Sequence, residues 1–186
     1  MNRFDRVLQR WRIRRAVPHV PPGSRLLDIG CFDGALLKAL DGHIALGVGI
    51  DPCAPEAAAG GAVQLIRGTF PQDMPELGPF DVITALAVVE HLALEEGPRF
   101  VEACERLLVP GGLVVITVPN PVVDPILHAM VRLRILDGMS LEEHHGFNPQ
   151  TAESLFVDRG FKLLRRGTFQ LGLNNVFVFR RPGGRR

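Results

Sequence analysis

Short apolar runs alternate along the chain with amphipathic segments of helical spacing. Three of the five runs stop directly before Gly, Asp or Pro, which is typical of buried strands. In chain order they are Arg25–Ile29, Ala45–Ile50, Val63–Ile66, Phe80–Ala85 and Leu113–Val118. Helical spacing predicts helices over Asp33–Leu40 and Gly97–Leu108, and a short helix is expected over Pro55–Ala59. Strands that alternate with helices predict an α/β fold with a mostly parallel sheet covered on both faces.

The last third of the chain has a different pattern. Val122–Leu136 is apolar with helical spacing, and Asp137–Phe147 is polar, so residues 121–147 form an expected insertion after the fifth strand. A further helix is predicted over Asn148–Arg159, because an N-cap residue is followed by proline at the first helical position. Two closing strands that can pair as a hairpin follow this helix: Phe161–Arg166 and Asn175–Arg181.

Composition indicates one folded domain spanning residues 1–186, with 46% hydrophobic and 22% charged residues. No apolar run approaches the roughly 18 residues of a membrane span. The three cysteines have no paired spacing, which excludes a disulfide scaffold and a cysteine-based zinc site and predicts a cytoplasmic location. The sequence gives no indication of oligomeric state.

Charge is distributed unevenly although the formal net charge is only +1. Met1–Val20 carries six arginines and one aspartate, Arg159–Arg186 carries eight basic residues and no acid, and the stretch between them is acidic. An acidic middle argues against a nucleic-acid partner, because such binders are usually basic throughout.

The first twenty residues are predicted to form a basic amphipathic helix. Its apolar side chains fall on one face: Phe4, Val7, Leu8 and Trp11. Such a helix could anchor the protein at a membrane surface, cover a bound ligand or pack on the domain with its arginines in solvent. We expect one of the last two arrangements.

The first chemical signal is the turn that follows the first strand. Gly30 allows a ligand to approach the backbone, and Gly34 allows a helix to start close by. Asp51 follows 21 residues after Gly30, at the end of the second strand, where a carboxylate can accept both hydroxyls of a ribose. The two features together predict a ligand that contains a nucleoside.

Two ligands fit that description, a nicotinamide dinucleotide and S-adenosylmethionine. The dinucleotide fingerprint needs a third glycine, but Phe32 stands in the middle of this turn, and Asp33 would face a pyrophosphate. A sulfonium ligand has no phosphate and carries an ammonium, which Asp28 could oppose. The acids therefore favour S-adenosylmethionine.

Four segments in order resemble the class I S-adenosylmethionine-dependent methyltransferases, in particular the group of ubiquinone-pathway O-methyltransferases. They are Leu26–Gly34, Gly49–Asp51, the stretch from Phe80 to Leu92 that ends in Glu-His-Leu, and Leu107–Gly112 with its Pro-Gly-Gly turn. The resemblance covers roughly Arg25–Phe161. It implies a Rossmann-like fold with a seven-stranded, mostly parallel sheet in the order 3-2-1-4-5-7-6, strand 7 being antiparallel.

The resemblance also implies a cofactor site and places its parts along the chain. The methionine portion would lie at the first turn, the ribose at the end of strand two, the adenine after strand three and the ammonium at the end of strand four. The residues so assigned, with the acid that faces the ammonium, are Asp28, Gly30, Cys31, Gly34, Asp51, Pro52, Thr69, Phe70, Leu86 and Ala87.

A base would assist transfer to a hydroxyl or an ammonium, and histidine is the usual choice. His91 follows strand four, whereas His144 and His145 lie in the insertion. We predict His145 and His91 as catalytic residues. The alternatives are a structural hydrogen bond at a helix start for His91 and an exposed polar loop for His144 and His145. Some relatives bind a metal through a Glu-x-x-Glu-His sequence and a later histidine, but here Ala87 replaces the first glutamate. Glu90, His91 and His145 could still ligate a divalent ion, but the set is incomplete, and we predict no metal.

The sequence thus predicts methyl transfer from S-adenosylmethionine to a small molecule, with S-adenosylhomocysteine as product. Whether oxygen, nitrogen or carbon accepts the methyl group stays open. Alternatives are methylation of RNA or protein, and a non-catalytic protein that binds S-adenosylmethionine on the same fold.

Overall fold

The computed structural model describes residues 3–55, 59–120 and 148–183. Four α-helices lie within these ranges: α1 (Arg3–Ala16), α2 (Ala35–Ala39), α3 (Gly97–Leu107) and α4 (Pro149–Val157). The strands are β1 (Arg25–Ile29), β2 (Leu46–Asp51), β3 (Ala59–Gly60), β4 (Val63–Arg67), β5 (Phe80–Leu86), β6 (Leu108–Pro119), β7 (Lys162–Phe169) and β8 (Asn174–Arg180). Short 3-10 turns cover Val17–His19 and Val89–His91.

The strands form one sheet in the order β3-β4-β2-β1-β5-β6-β8-β7. β1, β2, β4, β5 and β6 run parallel to one another, and β8 is antiparallel to both β6 and β7. Without the two-residue edge strand β3, this is the predicted order 3-2-1-4-5-7-6 with an antiparallel seventh strand. The predicted Rossmann-like α/β fold is therefore confirmed.

Three local predictions differ from the structure. Ala59 was expected at the end of a helix but pairs with Gln64 as part of β3. α2 begins two residues later than predicted, because Gly34 has a left-handed φ of +72°. The Pro-Gly-Gly turn was expected to separate α3 from a strand beginning at Leu113, yet β6 already begins at Leu108, and the pairing with β5 shifts register there.

Apolar side chains on the two faces of the sheet form two core clusters. α3 and α4 cover one face. α3 contributes Phe100, Val101 and Cys104, and α4 contributes Ala152 and Phe156. α1 and α2 cover the other face, where Ala16, Leu36 and Leu37 are buried. Burial on both faces explains why the central strands are continuously apolar.

The start of α4 agrees with its sequence signals. The Asn148 side chain accepts a hydrogen bond from the Gln150 amide at 2.9 Å, and Pro149 occupies the first turn. The helix ends at Val157, and Gly160 follows with a φ of +90°. The predicted N-cap is thus confirmed.

α1 packs on the sheet face that α2 also covers. Ala16 is fully buried and Ile13 packs against the same cluster. The Gln9 side chain donates to Asp33 Oδ1 at 3.2 Å, which ties the helix to the turn after β1. Val7 and Trp11 do not face the core, since they are 46% and 41% exposed. Tertiary contacts therefore orient the helix with part of its expected apolar face outward.

The helix expected over Val122–Leu136 and the loop expected over Asp137–Phe147 lie outside the described residues. Within the described part of the chain, no helix is both long enough and apolar enough to cross a membrane.

Candidate functional site

A cavity of about 460 Å³ opens where the parallel strands end. Its walls come from the segments that directly follow β1, β2, β4 and β5, with α3 on one side. Seven of the twelve predicted site residues line it: Gly30, Asp51, Pro52, Thr69, Phe70, Ala87 and His91. Parallel strands bring residues that are distant in sequence to this one edge.

The turn after β1 leaves no room for a side chain at Gly30. Its φ is +72°, and an added Cβ would lie 2.4 Å from Cγ2 of Val88. The Gly30 amide donates to the Ile50 carbonyl at 2.9 Å, so the turn is fixed to β2. Phe32 has a φ of +48°, a left-handed conformation that costs most residues about 1–2 kcal/mol. The turn thus keeps its shape without a glycine at that position.

The Asp51 carboxylate lies at the junction of two backbone segments. Oδ2 accepts a hydrogen bond from the Phe32 amide at 3.1 Å, and Oδ1 accepts one from the Cys53 amide at 2.7 Å. Each carboxylate oxygen has a further lone pair. Asp51 can therefore hold the turn and still accept a hydrogen bond from a ligand in the cavity.

Asp28 is buried in β1, with only 4% of its surface exposed. Burial raises its pKa to about 7; the hydrogen bond from Thr84 Oγ1 to Oδ1, at 2.7 Å, opposes this, and the nearby Asp51 charge adds to it. Asp28 is not in the cavity wall but directly precedes the wall residues Ile29 and Gly30. A cation bound nearby would favour its charged form.

The wall after β4 is built from Thr69 and Phe70. The Thr69 amide donates to Asp73 Oδ2 at 2.7 Å, which closes this loop. The Phe70 ring meets the Phe100 ring of α3 edge to face, with centroids 5.3 Å apart. This corner offers an apolar surface for a flat group beside a polar hydroxyl.

The wall after β5 is held by β6. Ala87 has a φ of +60°, and its amide donates to the Thr117 carbonyl at 3.0 Å and to Thr117 Oγ1 at 3.1 Å. His91 lines the cavity at the end of the following 3-10 turn. Glu90 is instead buried, which raises its pKa to about 7 despite a backbone hydrogen bond and the nearby Arg12 charge.

Four predicted site residues lie near the cavity without lining it: Asp28, Cys31, Gly34 and Leu86. The Cys31 thiol points into the core, 2.7 Å from the position that a Cβ on Gly49 would occupy. Its burial, with Asp28 and Asp51 nearby, raises its pKa to about 12, so the thiol stays neutral. His145 falls outside the described residues.

Several wall residues were not identified from the sequence. Val88 and Leu92 flank the recognised Glu-His pair, and Phe100 belongs to the apolar stripe of α3, where core and wall residues have the same spacing. Thr84, the partner of Asp28, lies in the middle of an apolar strand. Only the pairing of β1 with β5 brings these two side chains together.

A second cleft, of about 510 Å³, lies on the outer side of α3 and is lined mainly by charged side chains. Arg159 there pairs with Glu105 at 3.0 Å and with Glu102 at 3.6 Å. Because none of the predicted site residues that the structure describes lines this cleft, the cavity at the strand ends is the better candidate site. In the described ranges, no three His, Cys, Asp or Glu side chains are grouped as metal ligands would be.

The sequence profile of a family described as "Methyltransferase domain" matches residues 1–165. Among curated proteins, the chain is 35% identical over 105 residues to a ubiquinone biosynthesis O-methyltransferase of Bradyrhizobium sp., a match covering 53% of this chain and 41% of the relative. It is 37% identical over 117 residues to the ribosomal protein L11 methyltransferase of Thermus thermophilus, covering 58% and 43%. The matched region thus spans less than half the length of these relatives.

A solved structure with a similar fold is the N-methyltransferase NodS of Bradyrhizobium japonicum. The TM-score is 0.66 at 18% identity, and the match covers 97% of this chain and 98% of that one. At this identity the similarity concerns the fold.

Proposed function

Because the chain belongs to the methyltransferase-domain family, we propose that it transfers a methyl group from S-adenosylmethionine to a small-molecule acceptor and releases S-adenosylhomocysteine. The observation that carries the proposal is the convergence of the Gly30 turn, Asp51 and Thr69–Phe70 on one cavity at the strand ends. Its volume of about 460 Å³ is within the range of small-ligand sites.

The nucleoside end of the cofactor fits the side of the cavity formed after β2 and β4. Asp51 would accept hydrogen bonds from the ribose hydroxyls with its remaining lone pairs. Phe70 would pack on the adenine, and the Thr69 hydroxyl would bond its edge. Both the polar and the apolar requirements of a nucleoside are met within this wall.

The amino-acid end of the cofactor fits the side formed after β1 and β5. Gly30 would allow close approach of the backbone, because any side chain there would collide with Val88. Asp28 would stabilise the ammonium from below, and the backbone at Leu86 and Ala87 would flank it. Cys31 and Gly34 would shape the turn without contacting the cofactor, because neither residue lines the cavity.

The bound sulfonium would supply an electrophilic methyl group. The protein's contribution is then to orient the acceptor in line with it and to remove a proton where the acceptor requires this. His91 is positioned for proton removal because it lines the cavity. His145 stays a candidate for the same role.

A small acceptor is supported by the relatives named for ubiquinone biosynthesis and by the acidic middle of the chain, which disfavours a nucleic acid. A protein acceptor is the second candidate, favoured by the similarity to the ribosomal protein L11 methyltransferase.

Cys31, Cys53 and Cys104 are free thiols, which supports a location in the reducing cytoplasm.

Two measurements test the proposal. S-adenosylhomocysteine should raise the melting temperature, with about 2.7 kcal/mol of added stability at a concentration 100 times Kd, whereas NAD should not. Transfer of labelled methyl from S-adenosylmethionine to candidate small molecules, with a ribosomal protein preparation in parallel, then identifies the acceptor class. Selective stabilisation by NAD would contradict the proposal, and binding without transfer would indicate a non-catalytic protein.

A further inference from the structure

The outward face of α1 presents apolar side chains that the fold leaves partly exposed. Val7, Trp11 and Arg14 recur at i, i+4 and i+7 and therefore lie on one side of the helix. Val7 is 46% exposed and Trp11 is 41% exposed. Exposed aromatic and β-branched side chains on one helix face indicate a contact surface when their exposure has no structural reason.

The inward face of α1 already fixes the helix to the domain. Ile13 and Ala16 pack in the core, and Gln9 bonds Asp33. The Gln170 side chain donates to the Leu8 carbonyl at 3.2 Å, which attaches the turn between β7 and β8. The orientation of α1 is thus set without Val7 and Trp11, so these two side chains remain available to a partner.

The apolar face is surrounded by positive charge. Arg6, Arg10 and Arg14 are exposed, and Arg15 lies 5.8 Å from the centre of the Phe169 ring. After Asp5 the helix contains no acid. Arg165 on strand β7 adds to the positive field near the end of α1. Burial lowers the pKa of His19, and the Arg165 charge lowers it further.

We propose that this face of α1 docks on a phospholipid bilayer rich in anionic headgroups. Arginines contact headgroup phosphates, while Val7 and Trp11 enter the boundary between headgroups and acyl chains, where tryptophan is favoured. A nucleic acid would match the charge and could stack a base on Trp11, but it offers no apolar layer for Val7. Leu171, 97% exposed, lies in the turn that Gln170 attaches to α1.

Such docking would place the candidate site next to the membrane surface. Through Gln9 and Asp33, α1 contacts the turn that bears Gly30. This docking surface does not depend on the identity of the cofactor or the acceptor.

Trp11 is the only tryptophan of the chain, so its emission reports directly on this face. Vesicles of phosphatidylcholine with phosphatidylglycerol should co-sediment the protein and shift its emission to shorter wavelength. Vesicles of phosphatidylcholine alone should do neither, and high salt should reverse the binding. Absence of binding to the anionic vesicles would overturn the proposal.

Matched variants test whether α1 is the docking element. Val7→Ser should weaken vesicle partitioning roughly three- to tenfold, whereas Val157→Ser should not; Val157, on α4, is 44% exposed against 46% for Val7. Arg14→Glu should weaken partitioning roughly thirty-fold, because each charge near an anionic surface contributes about fivefold. Arg106→Glu on α3 makes the same charge change on the opposite sheet face and should have a much smaller effect.

Two other outcomes would overturn the proposal. Equal losses in Arg14→Glu and Arg106→Glu, with no difference between Val7→Ser and Val157→Ser, would mean that net charge alone drives binding. Binding of RNA or an acidic polypeptide that is tighter than binding to the anionic vesicles would identify a different partner.

Discussion

The backbone amide of Phe32 donates a hydrogen bond to Asp51 Oδ2 at 3.1 Å, which joins the turn after β1 to the end of β2. The other carboxylate oxygen accepts the Cys53 amide at 2.7 Å. Asp51 therefore has two roles in the proposed site, since the same carboxylate that would bind the ribose also holds the loop that would approach the methionine portion.

Asp51→Ala should weaken binding of S-adenosylhomocysteine by about 1.5–3 kcal/mol, the range for hydrogen bonds to a charged group. Asp51→Asn keeps one acceptor oxygen and should lose less. Calorimetry gives the affinities, and the melting temperature of each free variant checks that it is folded. Unchanged affinity in a folded Asp51→Ala variant would mean that the ribose lies elsewhere.

Gly30→Ala should abolish detectable binding of S-adenosylhomocysteine, because the new Cβ would lie 2.4 Å from Val88 Cγ2. The double variant Gly30→Ala/Val88→Ala removes the collision but keeps the strain of a positive φ, about 1–2 kcal/mol. We therefore expect the double variant to be more stable than Gly30→Ala but less stable than the unchanged protein. Full binding by Gly30→Ala, measured by calorimetry, would show that the turn does not contact the ligand.

Phe32→Gly should give a more stable protein than Phe32→Ala, by about 1 kcal/mol in the free energy of unfolding. Both changes remove a half-exposed ring, but only glycine adopts the φ of +48° without strain. Urea unfolding of the two variants measures the difference. Greater stability of the alanine variant would mean that this residue does not have a left-handed conformation in solution.

The stability of the free protein should fall as pH rises from about 4 to about 7. Asp28 has a pKa raised from 3.8 to about 7, so the folded state holds a proton that the unfolded chain has already released. Asp28→Asn should remove up to about 4 kcal/mol of this dependence, because an amide does not titrate. Its oxygen can still accept the hydrogen bond from Thr84, so the contact inside the sheet is kept. Urea unfolding at pH 5 and pH 8 tests this.

Glu90→Gln is the companion variant, because burial also raises the pKa of Glu90, from 4.5 to about 7. The double variant should show the flattest pH profile of the four proteins. A dependence on pH that survives in the double variant would have to come from other groups.

His145→Ala should lower turnover by roughly 10²–10⁴-fold and leave the affinity for S-adenosylhomocysteine unchanged, as expected for a general base. The pH profile should also lose a titration near neutrality. His43→Ala is the matched control, because His43 does not line the cavity. Its Nε2 lies 2.9 Å from the Val20 carbonyl oxygen. Loss of turnover in His91→Ala alone would assign the base to His91, the histidine in the cavity wall.

Local patterns in the sequence were sufficient for the α/β class, the turn after β1 and Asp51, whereas the strand order and most other predicted wall residues followed from the family resemblance. Apolar runs located the strands, and Gly30 and Asp51 could be placed because residues at the ends of parallel strands converge at one edge. Thr69 was placed by the resemblance to the class I methyltransferases. The cap of α4 was equally accessible, since Asn148 and Gln150 are two residues apart and their bond is local.

Contacts between distant segments decided the rest. Thr84 bonds Asp28 across 56 residues, and spacing along the chain contains no information on that pairing. Cys31 points into the core because Gly49 of the neighbouring strand leaves space there. Contacts with Asp33 and the sheet determine which face of α1 is buried. From the sequence alone, Val7 and Trp11 are as apolar as the packed residues Ile13 and Ala16. Side-chain direction depends on which surfaces meet after folding, and only the tertiary structure determines those surfaces.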